Sequence, residues 1–193
     1  MINAQRDWLG ELQTALGAGA VLGALAGVGT VIYAGVTDAV ELTIVTTGET
    51  AISGLPAGVT RADGGAADVA VADPGWAERL AHLAQGAPSY LLGLLVVVSL
   101  WRIVRAARRT DPFVPGIAGR LRRLGLVTLV GGLVADTLET GSGALASTLV
   151  YGEFRALTVT YHFWWLLIGF GLLAVGEVLR RGAVLRAELD QVV

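Results

Sequence analysis

The stretch WRIVRAARRTDPFVPGIAGRLRRLG, residues 101–125, carries seven arginines (Arg102, Arg105, Arg108, Arg109, Arg120, Arg122 and Arg123) and lies between two apolar runs, Ala87–Trp101 and Leu124–Ala135. Short loops rich in arginine or lysine stay on the cytoplasmic side of a bilayer, so a basic segment between apolar runs orients a membrane protein. The whole chain supports that reading. Of its 193 residues 54% are hydrophobic, more than a soluble domain usually carries. All 14 basic residues are arginine, because the chain has no lysine. Eleven of them are assigned to the cytoplasm (Arg6, the seven above, Arg180, Arg181 and Arg186), which leaves Arg61, Arg79 and Arg155 outside. Cysteine is absent, which excludes disulfides, a thiolate nucleophile and cysteine-ligated metals. The lead MINAQRDWLGEL is polar and mixed in charge, unlike a cleavable signal peptide, so the first apolar run is expected to remain as an anchor.

Residues Leu12–Thr37 contain no charge and are long enough as a helix to cross a hydrocarbon core of roughly 30 Å. Gly19, Gly23 and Gly27 form a GxxxGxxxG series in this run. Small residues four apart share a helix face and admit a second backbone, either in the same chain or in a second copy. The character changes over 37–86. Val40–Gly48 alternates as a strand does, Val59–Ala62 and Ala66–Ala72 read as hairpin arms joined by Asp63-Gly64-Gly65, and Trp76–Leu83 reads as a short surface helix. The second crossing begins at Ala87. The third begins near Leu124, its apolar run is interrupted by Asp136 and then Glu139, and the sequence allows the helix to continue towards Leu149; the fourth spans Ala156–Gly176, with Tyr161, Phe163, Trp164 and Trp165 as an interfacial aromatic belt.

The expected fold is mainly α: an integral membrane four-helix bundle with a small β-rich extracytoplasmic insertion between helices 1 and 2. Its segments are 1–36 (N-terminal segment and first crossing), 37–86 (β-rich loop domain), 87–107 (second crossing), 108–123 (arginine-rich cytoplasmic loop), 124–155 (third crossing and outer loop) and 156–193 (fourth crossing and a cytoplasmic helical tail). Four crossings place both termini in the cytoplasm.

An ionisable residue inside a membrane segment is a functional candidate by default, and Asp136 is the main one here. A carboxylate at this point binds a cation, relays protons, pairs with a basic residue, or lies hydrated or hydrogen-bonded at the outer interface. His82 and His162 stand far apart in sequence and outside HExxH spacing, so no metal centre and no cofactor are expected. No nucleophile elbow, P-loop or dinucleotide fingerprint is present, and no catalytic residue is assigned. The arginine segment lacks an aromatic base-stacking platform, which argues against direct nucleic-acid binding. Its charge suits anionic lipid head groups or the carboxylates of an acidic cytosolic protein.

Two stretches resemble the YoaS-like family of bacterial four-helix membrane proteins of unknown function. Asp111-Pro112-Phe113 followed by Arg120-Leu121-Arg122-Arg123-Leu124-Gly125 is similar to the family's DPF…RLRxIG loop, and Arg180–Asp190 to its FRxGxxLxxExD ending. Ile117 stands where the family often has Asn, and the ending Asp190-Gln191-Val192-Val193 departs from DLTV. Members are commonly encoded beside a small helix-turn-helix regulator. The resemblance implies a regulatory membrane component of the bacterial cytoplasmic membrane acting with a cytosolic transcriptional regulator. The candidate partner-binding residues are Arg108, Arg109, Asp111, Phe113, Arg120, Arg122, Arg123, Arg181, Glu188 and Asp190. The alternatives are a small transporter or channel component using Asp136, or an accessory subunit of a larger membrane complex.

Overall fold

Each long apolar run of the sequence becomes a helix, because a backbone without water must satisfy its own hydrogen bonds. The computed structural model describes residues 8–43, 59–61, 68–109, 115–151 and 161–190. In chain order these form α1 (Trp8–Val36), β1 (Ala39–Thr43), β2 (Val59–Arg61), β3 (Asp68–Ala72), α2 (Trp76–Ala84), α3 (Ala87–Arg109), α4 (Pro115–Tyr151) and α5 (Phe163–Asp190). Four of them (α1, α3, α4 and α5) are long and apolar enough to cross a membrane. The chain is a mainly helical, multi-pass membrane protein with a small sheet.

Several boundaries differ from the sequence reading. Helix α3 runs on to Arg109 and α4 starts at Pro115, so the segment read as the loop 108–123 is largely helical. Arg102, Arg105, Arg108 and Arg109 stand on α3; Arg120, Arg122 and Arg123 stand on α4. Proline at the first helical position loses nothing, since that N–H has no intrahelical acceptor. The third helix does continue past Asp136, as the sequence allows, and ends at Tyr151. Asp111 and Phe113, the turn Asp63-Gly64-Gly65 and the strand residues 44–48 lie outside the described residues.

The chain divides into two compact units: Met1–Leu25, Leu92–Gly132 and Phe163–Val193 in the first, Ala26–Leu91 and Leu133–His162 in the second. In the first unit the tightest packing is a glycine seam between α4 and α5. A Cβ on Gly132 would lie 2.3 Å from Trp165 Cβ, one on Gly169 2.5 Å from Leu129 Cγ, and one on Gly125 2.9 Å from the Gly169 carbonyl oxygen. At the same seam a Cβ on Gly176 would meet the Arg122 stem at 2.8 Å. Backbones this close gain dispersion contacts along their whole length, which drives helix association where no hydrophobic effect operates. Beside the seam, Val96 and Ile103 of α3 join Ile117, Leu121 and Leu124 of α4, with Leu172 and Leu179 of α5 packed against them. Trp165 therefore packs inward, against Gly132 and near Gly93, whereas Tyr161, Phe163 and Trp164 are exposed.

Helix α1 makes a close contact at one glycine of the series read in its sequence and none at another. A Cβ on Gly17 would meet the Trp101 indole at 3.1 Å and one on Gly27 the Tyr90 ring at 2.7 Å, but nothing lies within 4 Å of one on Gly19. Gly23 is half-buried. Gly27 is thus a close-contact glycine of the series, Gly17 adds a contact outside it, and Val21, Leu22, Leu25, Val28 and Ile32 are left exposed, as lipid-facing side chains are.

In the second unit the sheet order is β1-β3-β2, with both pairings antiparallel. Val40 faces Val71 and Leu42 faces Val69 across β1 and β3. These side chains alternate inward and cluster with Ala81 of α2 and Ala146 and Val150 of α4. The distal part of α4 is thus a buried core element, and its small residues Ala144, Ala146 and Ser147 admit the close contact. The edge of β1 is covered by α2. Gln85 uses both ends of its amide, accepting from Thr43 N–H at 3.0 Å and donating to Thr43 C=O at 2.8 Å. His82 Nδ1 lies 2.7 Å from Glu41 C=O, which gives that histidine a structural partner. Arg79 donates to the Ala34 carbonyl in the last turn of α1 and to the Pro74 carbonyl. A guanidinium there satisfies an orphan carbonyl and suits the negative end of the helix dipole.

Candidate functional site

Asp136 is 2% exposed, the most deeply buried carboxylate among the described residues. Its two oxygens are both engaged by His162, the residue just before α5: Oδ2 accepts the His162 backbone N–H at 2.8 Å and Oδ1 lies 2.8 Å from Nδ1 of the ring. An ionised carboxylate has only acceptors, so Nδ1 carries the proton in that contact and Nε2 is left for another partner. The His162 side chain is 54% exposed, so the pair has one buried and one open member. Asp136 thereby fixes where the chain enters α5.

Glu139 follows Asp136 at i+3 and lies on the same side of α4. Its Oε1 accepts the Ser89 backbone N–H at 2.8 Å. Ser89 is in the first turn of α3, where backbone N–H groups have no intrahelical acceptor, so Glu139 caps α3 from α4. The Ser89 hydroxyl is shielded from solvent and has no hydrogen-bond partner among the described residues. Asp136, Glu139 and His162 each present a potential ligand atom, all within 4.8 Å of one another. The surrounding hydroxyls of α4 are satisfied internally: Thr140 donates to the Asp136 carbonyl and Ser142 to the Glu139 carbonyl.

Sequence reasoning singled out Asp136 alone. His162 stands outside metal-ligand spacing along the chain, and Glu139 reads there as a second interruption of the apolar run. The usable signal was the DxxE spacing at positions 136 and 139, which puts two carboxylates on one face of a helix. Nothing in the spacing of 26 residues between Asp136 and His162 announces their contact.

The arginines are the second feature. Arg102, Arg105, Arg108, Arg109, Arg120, Arg122, Arg123, Arg180, Arg181 and Arg186 are all exposed and belong to the first unit. Several are already engaged. Arg105 lies over the Trp101 ring at 5.3 Å, Arg108 donates to Gln13 Oε1 at 2.9 Å, and Arg180 and Arg181 both donate to Glu177. An acidic partner meeting Arg181 therefore competes with an intrachain pair. Glu188 is exposed on α5, and Asp190 is that helix's last residue.

Residues 65–193 match the family described as a protein of unknown function, DUF2975. That stretch is well over half of the chain. The chain belongs to the DUF2975 family. The DUF2975 match takes in α2 to α5, and with them Asp136, Glu139, His162 and the ten arginines of the first unit; α1, β1 and β2 precede it. No curated protein and no solved structure matches the chain.

Proposed function

We propose that this DUF2975 protein is a non-enzymatic regulatory component of the bacterial cytoplasmic membrane. It is a four-helix bundle with both termini inside, the β-containing insertion of residues 37–86 outside, and an arginine surface that holds an acidic cytosolic partner. The supporting observation is the segregation of charge between the two units. Among described residues the first unit carries ten arginines against Glu11, Glu177, Glu188 and Asp190, so its balance is 10 − 4 = +6. The second carries seven acids (Asp38, Glu41, Asp68, Asp73, Glu78, Asp136 and Glu139) against Arg61 and Arg79, so its balance is 2 − 7 = −5. Arginine bias of this size sets orientation. The partner is the helix-turn-helix regulator that the YoaS-like resemblance implies. A transporter would need Asp136 open to an aqueous pathway, but its side chain is 2% exposed.

Orientation is tested with single cysteines, which have no background in a chain lacking cysteine. Ala77 and Ala187 are both exposed. In intact spheroplasts a membrane-impermeant maleimide is expected to label Ala77→Cys and to reach Ala187→Cys only after lysis; the reverse pattern would invert the protein. Partner capture is tested by Arg120→Lys with Arg123→Lys, sparing Arg122 because its stem lies against Gly176. Lysine keeps the charge and loses the guanidinium fork. We expect unchanged labelling and a capture of the regulator weakened by about 1–3 kcal/mol for two charge-assisted contacts. Undiminished capture by this variant and by the corresponding double glutamine would reduce the arginines to a topology signal.

A further inference from the structure

We propose that Asp136, Glu139 and His162 form a binding site for one divalent transition-metal ion, zinc foremost. The donor set comes from two elements, α4 and the residue preceding α5. One ligand atom of each side chain lies within 4.8 Å of the others. Bonds of about 2.0–2.2 Å in a tetrahedral arrangement put ligand atoms about 3.4 Å apart, so side-chain rotations that bring these atoms closer by up to about 1.4 Å close the site.

Three further observations point to an occupant. The first is charge. Two carboxylates face a single imidazole, and among the described residues Glu139 has no cationic partner. Even a charged His162 would leave the group negative by one, with Asp136 almost fully out of water. Buried charge of this kind is costly unless paired or bound to a metal. The second is the Ser89 hydroxyl. It is solvent-shielded and unpartnered, and it belongs to the residue whose N–H holds Glu139. An orphaned polar atom beside a carboxylate marks a missing water or ion, and an ion held by three side chains keeps a water in its remaining position. The third is preorganisation. Backbone N–H groups hold one oxygen of each carboxylate, His162 N–H on Asp136 and Ser89 N–H on Glu139, so both are oriented before the ion arrives.

The chemistry of the donors selects the ion. One imidazole and two carboxylates suit zinc, manganese, iron or cobalt. Magnesium and calcium prefer oxygen donors throughout, and thiolate-selective ions have no ligand in a chain without cysteine. The site shares no residue with the arginine surface, so it stands whether or not a cytosolic partner binds there.

The test uses the full chain, purified in detergent with a tag free of histidine, stripped with a chelator and titrated with Zn²⁺ against a fluorescent competitor. The expected result is one saturable site per chain, a raised unfolding temperature with Zn²⁺, and no competition from a hundredfold excess of Mg²⁺. Glu139→Gln keeps an acceptor for Ser89 N–H, and His162→Gln changes a half-exposed side chain. Each is expected to weaken Zn²⁺ binding at least tenfold, with an unfolding temperature in chelator close to that of the parent. Absence of saturable binding by the parent chain overturns the proposal, as does binding of undiminished strength in both variants. X-ray absorption on the loaded protein adds a readout independent of folding: a nitrogen/oxygen shell with an imidazole signature supports the site, and a shell without imidazole overturns it.

Discussion

Gly132→Leu is expected to lower the unfolding temperature of the detergent-solubilised protein by roughly 6–12 °C. The expectation follows from the seam between α4 and α5. A Cβ at this position would stand 2.3 Å from Trp165 Cβ, and Cβ is the part of tryptophan that cannot swing away. Either the helices separate along the seam or the Trp165 backbone shifts, and overpacking of this kind costs about 3 kcal/mol, sometimes more. Separation also breaks the reciprocal approach at Gly125 and Gly169, so the loss propagates along the helix pair. Gly169→Leu is expected to behave alike, because its Cβ would meet Leu129 Cγ at 2.5 Å. The control is Gly19→Leu. No atom lies within 4 Å of a Cβ there, so its unfolding temperature should match the parent's. Equal unfolding temperatures for Gly132→Leu and Gly19→Leu would mean that α4 and α5 do not meet at this seam.

The second large effect is at Asp136, where alanine and asparagine should differ. Alanine removes the acceptor of two contacts, leaving the part-buried His162 N–H unmet and the ring free to turn to solvent. The cost is about 1–3 kcal/mol, mostly from the orphaned N–H, since the half-exposed ring finds water. Asparagine can keep both contacts. Its oxygen accepts the backbone N–H while its amide donates to Nδ1 of the other neutral tautomer, with the proton then on Nε2. Asp136→Asn should therefore stay within about 1 kcal/mol of the parent, on the scale of a single neutral hydrogen bond. Both variants are to be measured in chelator, so that metal affinity does not enter, with hydrogen exchange at the start of α5 as the local reporter. Equal destabilisation by alanine and asparagine would show that the charge of Asp136, rather than its pair of acceptors, holds His162 in place.

Much of this architecture is legible along the chain. Uninterrupted apolar length makes a helix in lipid whatever its neighbours are, so α1, α3 and α5 follow from their own residues. The alternation of Val40 and Leu42 marks β1, and it became one face of a sheet because side chains on a strand point alternately to opposite sides. Charge segregation needs no structure at all. The limits of helix α3 at Arg109 and α4 at Pro115 were less legible, because arginines with long aliphatic stems sit on a helix as readily as in a loop. Asp136 ends a lipid-facing run but not a helix, a continuation the sequence allows, since its side chain is satisfied by His162 and the helix beyond it is buried by protein.

What the sequence determined by itself is therefore local: which runs are apolar, which alternate, and where positive charge gathers. Each depends only on how a short segment meets lipid or water. The tertiary structure decided which of the 27 glycines carry the closest contacts: Gly132 and Gly169 are the tightest, and of the series Gly19, Gly23 and Gly27 that the GxxxG pattern marked, Gly27 meets the Tyr90 ring while Gly19 meets nothing. The tertiary structure also brought His162 to a carboxylate 26 residues away and set Glu139 against the first turn of α3. Such contacts join segments remote in sequence. They depend on where two backbones come close enough to exclude a side chain, a distance that no periodicity within either segment encodes.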